Sequence, residues 1–241
     1  MDRNTAKILP SKDSKKLKDV SVAILNAGLG ARIKSCEPRS LIKIQDKLII
    51  DWQLDAIKFA FDKPDIMTVV GCKPHRVFKK IGEKTRIIEN QLYETTNNSE
   101  SLRLAFNASV TSNFIFLHGD LVFNRDLLAG INYRESFVVV DSTGMMKKNE
   151  VGLVEADGKL SVLSYGLEKK WCQIAFFTGK ELSLLRNIFN KFNQTDKKML
   201  SFELINQIIS DGGSFKCIEP DQMKILEIDT IKDAKNEDIN F

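Results

Sequence analysis

The chain is poor in the residues that bind soft metals and in the long apolar runs that cross membranes. Its histidines are His75 and His118, whose spacing fits no metal site. Its four cysteines, Cys36, Cys72, Cys172 and Cys217, include no C-x-x-C pair and have no histidine at ligand spacing. That usage excludes a cysteine–histidine metal centre and predicts reduced, mainly buried thiols. No apolar run approaches the roughly 20 residues a bilayer span requires, which argues against a membrane partner. The Lys-rich N-terminus carries no apolar segment of the kind a secretory signal needs, so a cytoplasmic location is expected. There is no internal repeat and no low-complexity segment. Nucleic acid is not an expected partner either. Of a formal net charge of +4, the first 20 residues hold +3, with Arg3 and five lysines against Asp2, Asp13 and Asp19. The remainder is close to neutral, with no basic stripe interleaved with aromatics. Residues 1–19 are therefore expected to form a solvated, poorly ordered basic tail.

The remaining residues, 20–241, are rich enough in apolar side chains, at 43% for the chain, to bury one sizeable core. Val20 to Leu25 reads as a buried strand, and Asp51 to Phe61 as an amphipathic helix with Trp52, Ala56, Phe59 and Ala60 on one side. Asp62-Lys63-Pro64-Asp65 breaks the helix, and Ile66 to Gly71 reads as a second strand. Arg86 to Ile88, a helix carrying Leu102, Ala105, Phe106 and Ser109, and Phe114 to Leu117 continue the alternation. That pattern predicts an α/β fold, a mostly parallel, Rossmann-like sheet with helices on both faces. Beyond Phe137 it changes to a smaller hairpin and helical lobe. Val151 to Val162 reads as a hairpin around Asp157-Gly158, and Trp171 to Thr178 as a strand. Helices over Lys180 to Phe192 and Met199 to Ser210, two short strands and a final helix from near Asp229 follow.

The most informative stretch is Leu25-Asn26-Ala27-Gly28-Leu29-Gly30-Ala31-Arg32, followed by Pro38-Arg39-Ser40-Leu41 and Lys47-Leu48-Ile49-Ile50. A strand running into a loop with two glycines lets backbone N–H groups approach a ligand closely. Arg32 and Arg39 add full charges, and together these groups suit a polyphosphate. Gly28-x-Gly30-x-x-Ile33 lacks the third glycine of the dinucleotide fingerprint, which disfavours a dehydrogenase, and no G-K-[ST] follows to make a P-loop.

Ligands of open parallel sheets bind beyond the carboxyl ends of the strands. Asp120 leaves such an end in Leu117-His118-Gly119-Asp120, where it could offer an oxygen to a hard divalent cation or serve only as a turn or N-cap residue. Asp229, in Glu227-Ile228-Asp229-Thr230, could do the same or cap the last helix. Asn90-Gln91-Leu92-Tyr93-Glu94-Thr95-Thr96-Asn97-Asn98-Ser99-Glu100-Ser101-Leu102 could present amides and hydroxyls to a base edge, or be a polar loop with an N-cap at Asn98 or Ser99. Both histidines read as incidental, and Glu168-Lys169-Lys170 as a solvated charge run.

These motifs together resemble the signature of the nucleotidyltransferases, read as L-x-A-G-x-G-x-R, P-K-x-L, K-P-x-I, strand-G-D and E-I-D-T. The likeness spans about residues 20 to 235. Asn26 stands where the family usually has alanine, Leu29 where it has a basic residue, and Arg39 where it has lysine. The resemblance implies the nucleotide-diphospho-sugar transferase fold, with a nucleotide-binding half over 20–141 and an acceptor-binding half over 142–241. It implies transfer of NMP from an NTP to a small phosphorylated alcohol or sugar phosphate, with release of pyrophosphate. Asp120 and Asp229 would hold Mg²⁺, and Arg32 and Arg39 would stabilise the leaving group. Leu25, Asn26, Ala27, Gly28, Gly30, Thr96, Asn98 and Ser101 would bind the nucleotide. The N-x-x-Y-x-x-T-N-N-x-x-S-L run is similar to that of phosphocholine cytidylyltransferases, which favours CTP. A hexose 1-phosphate member using UTP, GTP or dTTP is the alternative within the class, and a non-catalytic nucleotide-binding regulatory protein is the alternative outside it. The sequence leaves the acceptor unnamed and homo-oligomerisation open.

Overall fold

The computed structural model describes residues 16–28, 38–144, 146 and 149–228. Its first strand, β1 (Val20–Asn26), is buried along nearly its whole length because it lies inside a sheet covered on both faces. Lys43–Ile44 (β2) and Lys47–Leu48 (β3) make a small antiparallel ribbon before helix α1 (Ile49–Ala60). The buried stripe of α1 is Ile49, Ile50, Gln53, Leu54, Ala56, Ile57 and Ala60, so Trp52 and Phe59 sit at its margins. Next come β4 (Asp65–Val70), α2 (Pro74–Ile81), β5 (Arg86–Glu89), α3 (Asn98–Ala108), β6 (Asn113–His118) and β7 (Leu121–Phe123). The second half holds β8 (Phe137–Asp141), β9 (Val151–Ala156), β10 (Lys159–Tyr165), β11 (Lys169–Phe177), α4 (Gly179–Asn190), α5 (Ser201–Ser210), β12 (Lys216–Ile218) and β13 (Ile225–Glu227).

Nine strands form one sheet in the order β5-β4-β1-β6-β11-β8-β12-β10-β9. The first four run parallel, with β1 central between β4 and β6. Beyond β6 the sheet turns antiparallel through β11, and only β12 and β8 are parallel in that part, so the sheet as a whole is mixed. The period of two along β1 divides the core. Val22 and Ile24 face α1 and α2, while Ala23 and Leu25 face α3 and the residues of α4 and α5. The expected hairpin joins β9 to β10 through Asp157 and Gly158, both at positive φ, as the tight turn of a two-residue hairpin requires.

Two expectations are corrected, and one helix is new. The basic tail does not run free to residue 19, because Leu17 bridges to Phe61 and accepts the Asp62 N–H at 3.0 Å. Cys172 and Cys217 are free thiols, but Cys72 is disulfide-bonded. The segment over α2 is a helix that the sequence pattern hides, since only Val77 and Ile81 are buried among His75, Arg76, Lys79 and Lys80. Among the described residues no helix is long and apolar enough to cross a membrane. The expected final helix lies outside the described residues.

Candidate active site

The carboxyl ends of β1 and β6 lie side by side, with Leu25 paired to His118. The turn after β6 closes tightly on β1, and the Gly119 N–H donates to the Leu25 carbonyl at 2.9 Å. A Cβ at Gly119 would come within 2.8 Å of Asn26 Cβ and 2.9 Å of its Oδ1, so glycine is what permits this approach. Gly119→Ala is expected to lower stability by about 1–3 kcal/mol, the usual cost of overpacking. It should also displace Asp120, which a fall in both thermal midpoint and turnover would register.

That turn brings Asp120 to Arg39. Arg39 Nη1 pairs with Asp120 Oδ2, and the two side chains are only 18% and 14% exposed. Asn26 orients the segment that carries Arg39: its Nδ2 donates to Ser40 Oγ at 2.6 Å, and its Oδ1 accepts the Ser40 N–H at 3.4 Å. Asn26 therefore holds the segment that carries Arg39. From the other side Gln53, wholly buried on α1, donates through Nε2 to the carbonyls of His118 and Leu121 at 2.9 and 2.8 Å, bracketing Asp120. Nothing in the sequence pattern singles out Gln53 except a polar residue on an otherwise apolar helix face.

Asp120 Oδ1 is buried and has no hydrogen-bond partner among the described residues. An unpartnered carboxylate oxygen is the donor a hard divalent cation takes. No group of three or more His, Cys, Asp or Glu side chains converges among the described residues. The antiparallel ribbon of β7 and β13 sets Leu121 opposite Glu227, and the Ile228 N–H donates to the Asp120 carbonyl at 2.9 Å. The residue preceding Asp229 is thus fixed against Asp120. Asp229 itself, like Gly30 and Arg32, lies outside the described residues.

Beside this pair is a cavity of about 330 Å³ lined by Leu25, Ala27, Gly28, Asn90, Tyr93, Glu94, Thr96, Asn97, Asn98, Ser101 and Leu200. Six of the expected nucleotide-binding residues, Leu25, Ala27, Gly28, Thr96, Asn98 and Ser101, are therefore brought together. A Cβ on Gly28 would meet nothing within 4 Å, so the loop there faces open space. The polar run does much structural work. Asn97 is the N-cap residue of α3, but its amide donates to the Lys198 carbonyl at 2.6 Å instead of capping. Asn98 Oδ1 accepts the Ser201 N–H at 2.7 Å, and its Nδ2 faces His118 Nε2 at 3.3 Å. Asn90 Nδ2 reaches Thr96 Oγ1 and Ser101 Oγ, each at 3.2 Å. A larger groove, about 770 Å³, lies at the opposite ends of β4 and β5. There Arg86 is matched by Asp65, and Lys84 by Asp51.

Two readings from sequence change. His118 is not incidental: its ring stacks on Phe116 and meets Trp171 edge-on. Burial drives its pKa below the ordinary imidazole value, outweighing the opposing pull of Asp120. Lys169 and Lys170 are not a solvated run either. They open β11 and pair with Glu155 at 2.9 Å and Glu150 at 2.7 Å. Burial alone would lower the Lys170 pKa, but the hydrogen bond and charge of Glu150, with Glu227 nearby, outweigh it and keep the ammonium charged.

No protein-family model and no curated protein sequence matches the chain. Solved structures do. The CTP:phosphocholine cytidylyltransferase of Streptococcus pneumoniae superposes with a TM-score of 0.68 at 22% identity, over 90% of this chain and 97% of the other. The inositol-1-phosphate CTP transferase of T. maritima gives 0.70 at 14% identity, over 88% and 90%. A Bacillus anthracis protein assigned as a glucose-1-phosphate thymidylyltransferase, in complex with sucrose, gives 0.73 at 15% identity, over 92% and 97%. The chain is similar to nucleotidyltransferases along almost its whole described length and has their fold.

Proposed function

We propose that the chain transfers a nucleoside monophosphate, CMP from CTP in the favoured case, to a small phosphorylated alcohol or sugar phosphate and releases pyrophosphate. The observation that carries this reading is the pairing of Arg39 with Asp120 at the shared mouth of β1 and β6, beside a polar cavity in the size range of small-molecule sites. Such a reaction needs in-line positioning and neutralisation of phosphate charge more than covalent help from the protein. The acceptor's own phosphate oxygen attacks the α-phosphorus, and the bond to the pyrophosphate oxygen breaks. Asp120, with Asp229, would hold Mg²⁺, which when bound supplies charge neutralisation at the phosphates. Arg39, with Arg32, would stabilise the departing pyrophosphate, and the Gly28 segment would offer it backbone N–H groups. A regulatory protein that only bound nucleotide would have no need for a buried carboxylate with an unpartnered oxygen at this point.

The base is read in the cavity. Ser101 Oγ accepts from Asn90, which leaves its hydroxyl proton for an acceptor on the ligand, whereas the Asn98 amide is committed to Ser201 and His118. A cytosine edge carries both an amino group and carbonyl-type acceptors, and a polar site discriminates strongly against an edge that leaves its groups unpaired. CTP is therefore expected to give a kcat/KM at least about tenfold above GTP, with Ser101→Ala eroding the ratio more than the rate with CTP. Pyrophosphate release measured across four NTPs and a set of phosphorylated alcohols and sugars tests this. Equal or better use of dTTP or GTP would replace it with the hexose 1-phosphate reading, which the likeness to the thymidylyltransferase favours.

A further inference from the structure

The polar cavity beside β1 takes part of its wall from a segment far away in sequence. Among its described lining residues Leu200 alone comes from the second half of the chain. Leu200 lies in the short stretch 196–201 that leads into α5, and this stretch is fastened along the start of α3. The Ser99 hydroxyl donates to the Asp196 carbonyl at 3.0 Å, and the Asn97 N–H to the Lys197 carbonyl at 2.8 Å. The Asn97 amide donates to the Lys198 carbonyl at 2.6 Å, and the Ser201 N–H to Asn98 Oδ1 at 2.7 Å. The Leu200 N–H itself donates to Glu203 Oε2 at 2.6 Å. The chain is thus tied down on both sides of Leu200. Its neighbours Met199 and Phe202 pack against the apolar cluster under α3, α4 and α5. Leu200 joins none of the three apolar clusters of the described residues and stays half-buried. A leucine held this firmly, yet unused by the core, adds bulk to the cavity wall.

We infer that Leu200 is a specificity-determining residue that reads ring size, admitting a pyrimidine nucleotide and excluding a purine. The inference rests on the nucleotide reading of this cavity proposed above. At about 330 Å³ the cavity lies near the lower end of the roughly 300–1,000 Å³ of small-molecule sites, so one isobutyl group matters to what it holds. The polar groups around Ser101 can tell one base edge from another, but they do not measure how far the ring extends. Rejecting a larger ligand takes a clash, and a clash holds only where the backbone behind it cannot yield. The anchored stretch 196–201 supplies that backing. Leu200 therefore separates CTP and UTP from GTP and ATP, and the choice between the two pyrimidines is left to the polar wall.

The test is the dissociation constant of each of CTP, UTP, GTP and ATP with Mg²⁺, measured by titration calorimetry, with thermal midpoints of the unliganded proteins alongside. The parent should bind the two pyrimidine nucleotides at least about tenfold more tightly than the two purines. Leu200→Ala should tighten GTP and ATP about tenfold, the low end of what small differences in pocket fit are worth. The ratio of CTP to UTP should stay at the parent's value, because their rings are the same size. Its midpoint should stay close to the parent's, since Leu200 joins no apolar cluster, and Leu200→Met, which conserves volume, should keep the parent's selectivity. A Leu200→Ala protein that weakens all four nucleotides alike would overturn the inference, as would a parent that binds purines as well as pyrimidines. If the parent binds none of the four, the nucleotide reading fails and this inference goes with it. If the parent favours pyrimidines and Leu200→Ala favours them equally, only the role of Leu200 is wrong.

Discussion

Asp120→Ala is expected to lower turnover by at least about 10²-fold, the scale of a lost electrostatic contact to a transition state. The reasoning is positional. Asp120 has one oxygen committed to Arg39 and the other buried without a partner among the described residues, in a turn pinned by Gly119, Gln53 and Ile228. Because the turn is held by backbone carbonyls and not by the carboxylate, removing the side chain should leave the fold intact. Asp120→Asn, which keeps shape but not charge, should lose nearly as much activity. Steady-state turnover with Mg²⁺ and circular dichroism of both variants check this. Near-parent turnover in both would remove Asp120 from the chemistry.

Arg39→Ala should weaken NTP binding and slow transfer together, by about 10- to 100-fold in kcat/KM, the worth of one hydrogen bond to a charged group. Arg39→Lys keeps the charge but not the planar fork, and should retain much of the activity. The pair also predicts non-additivity. Each partner is mostly buried against the other, so the double variant Arg39→Ala/Asp120→Ala should cost less stability than the sum of the singles. An Arg39→Ala protein kinetically equal to the parent would move the phosphate contact to Lys43 or elsewhere.

What could be read from sequence follows a physical divide. β1 was legible because Val20, Val22, Ala23, Ile24 and Leu25 are apolar and buried on both faces, and the Asp157-Gly158 hairpin because two positive-φ positions leave little other choice. Asp120 and the Asn90–Ser101 run were legible as chemistry because they sit next to a strand end and a helix start. β7 escaped because it is three residues long and exists only by pairing with β13, about 100 residues later. The Lys170–Glu150 pair escaped for a related reason. Two charges 20 residues apart look solvated until the hairpin between them folds back. Gln53 and His118 carry no local signal at all, since what each does depends on a partner from a different element.

The antiparallel seating of β11 beside β6 has a consequence for how substrates are admitted. Ile174, Ala175, Phe176 and Phe177 are laddered to Leu117, Phe116, Ile115 and Phe114, so both halves belong to one continuous hydrogen-bonded sheet. A hinge swinging one half over the other would have to shear that ladder at its most buried point. The spacing between the two halves is thus set like a fixed gauge, and in the proposed reaction an acceptor would be selected by its length. Whatever adjusts on binding does so in the loops at the rim.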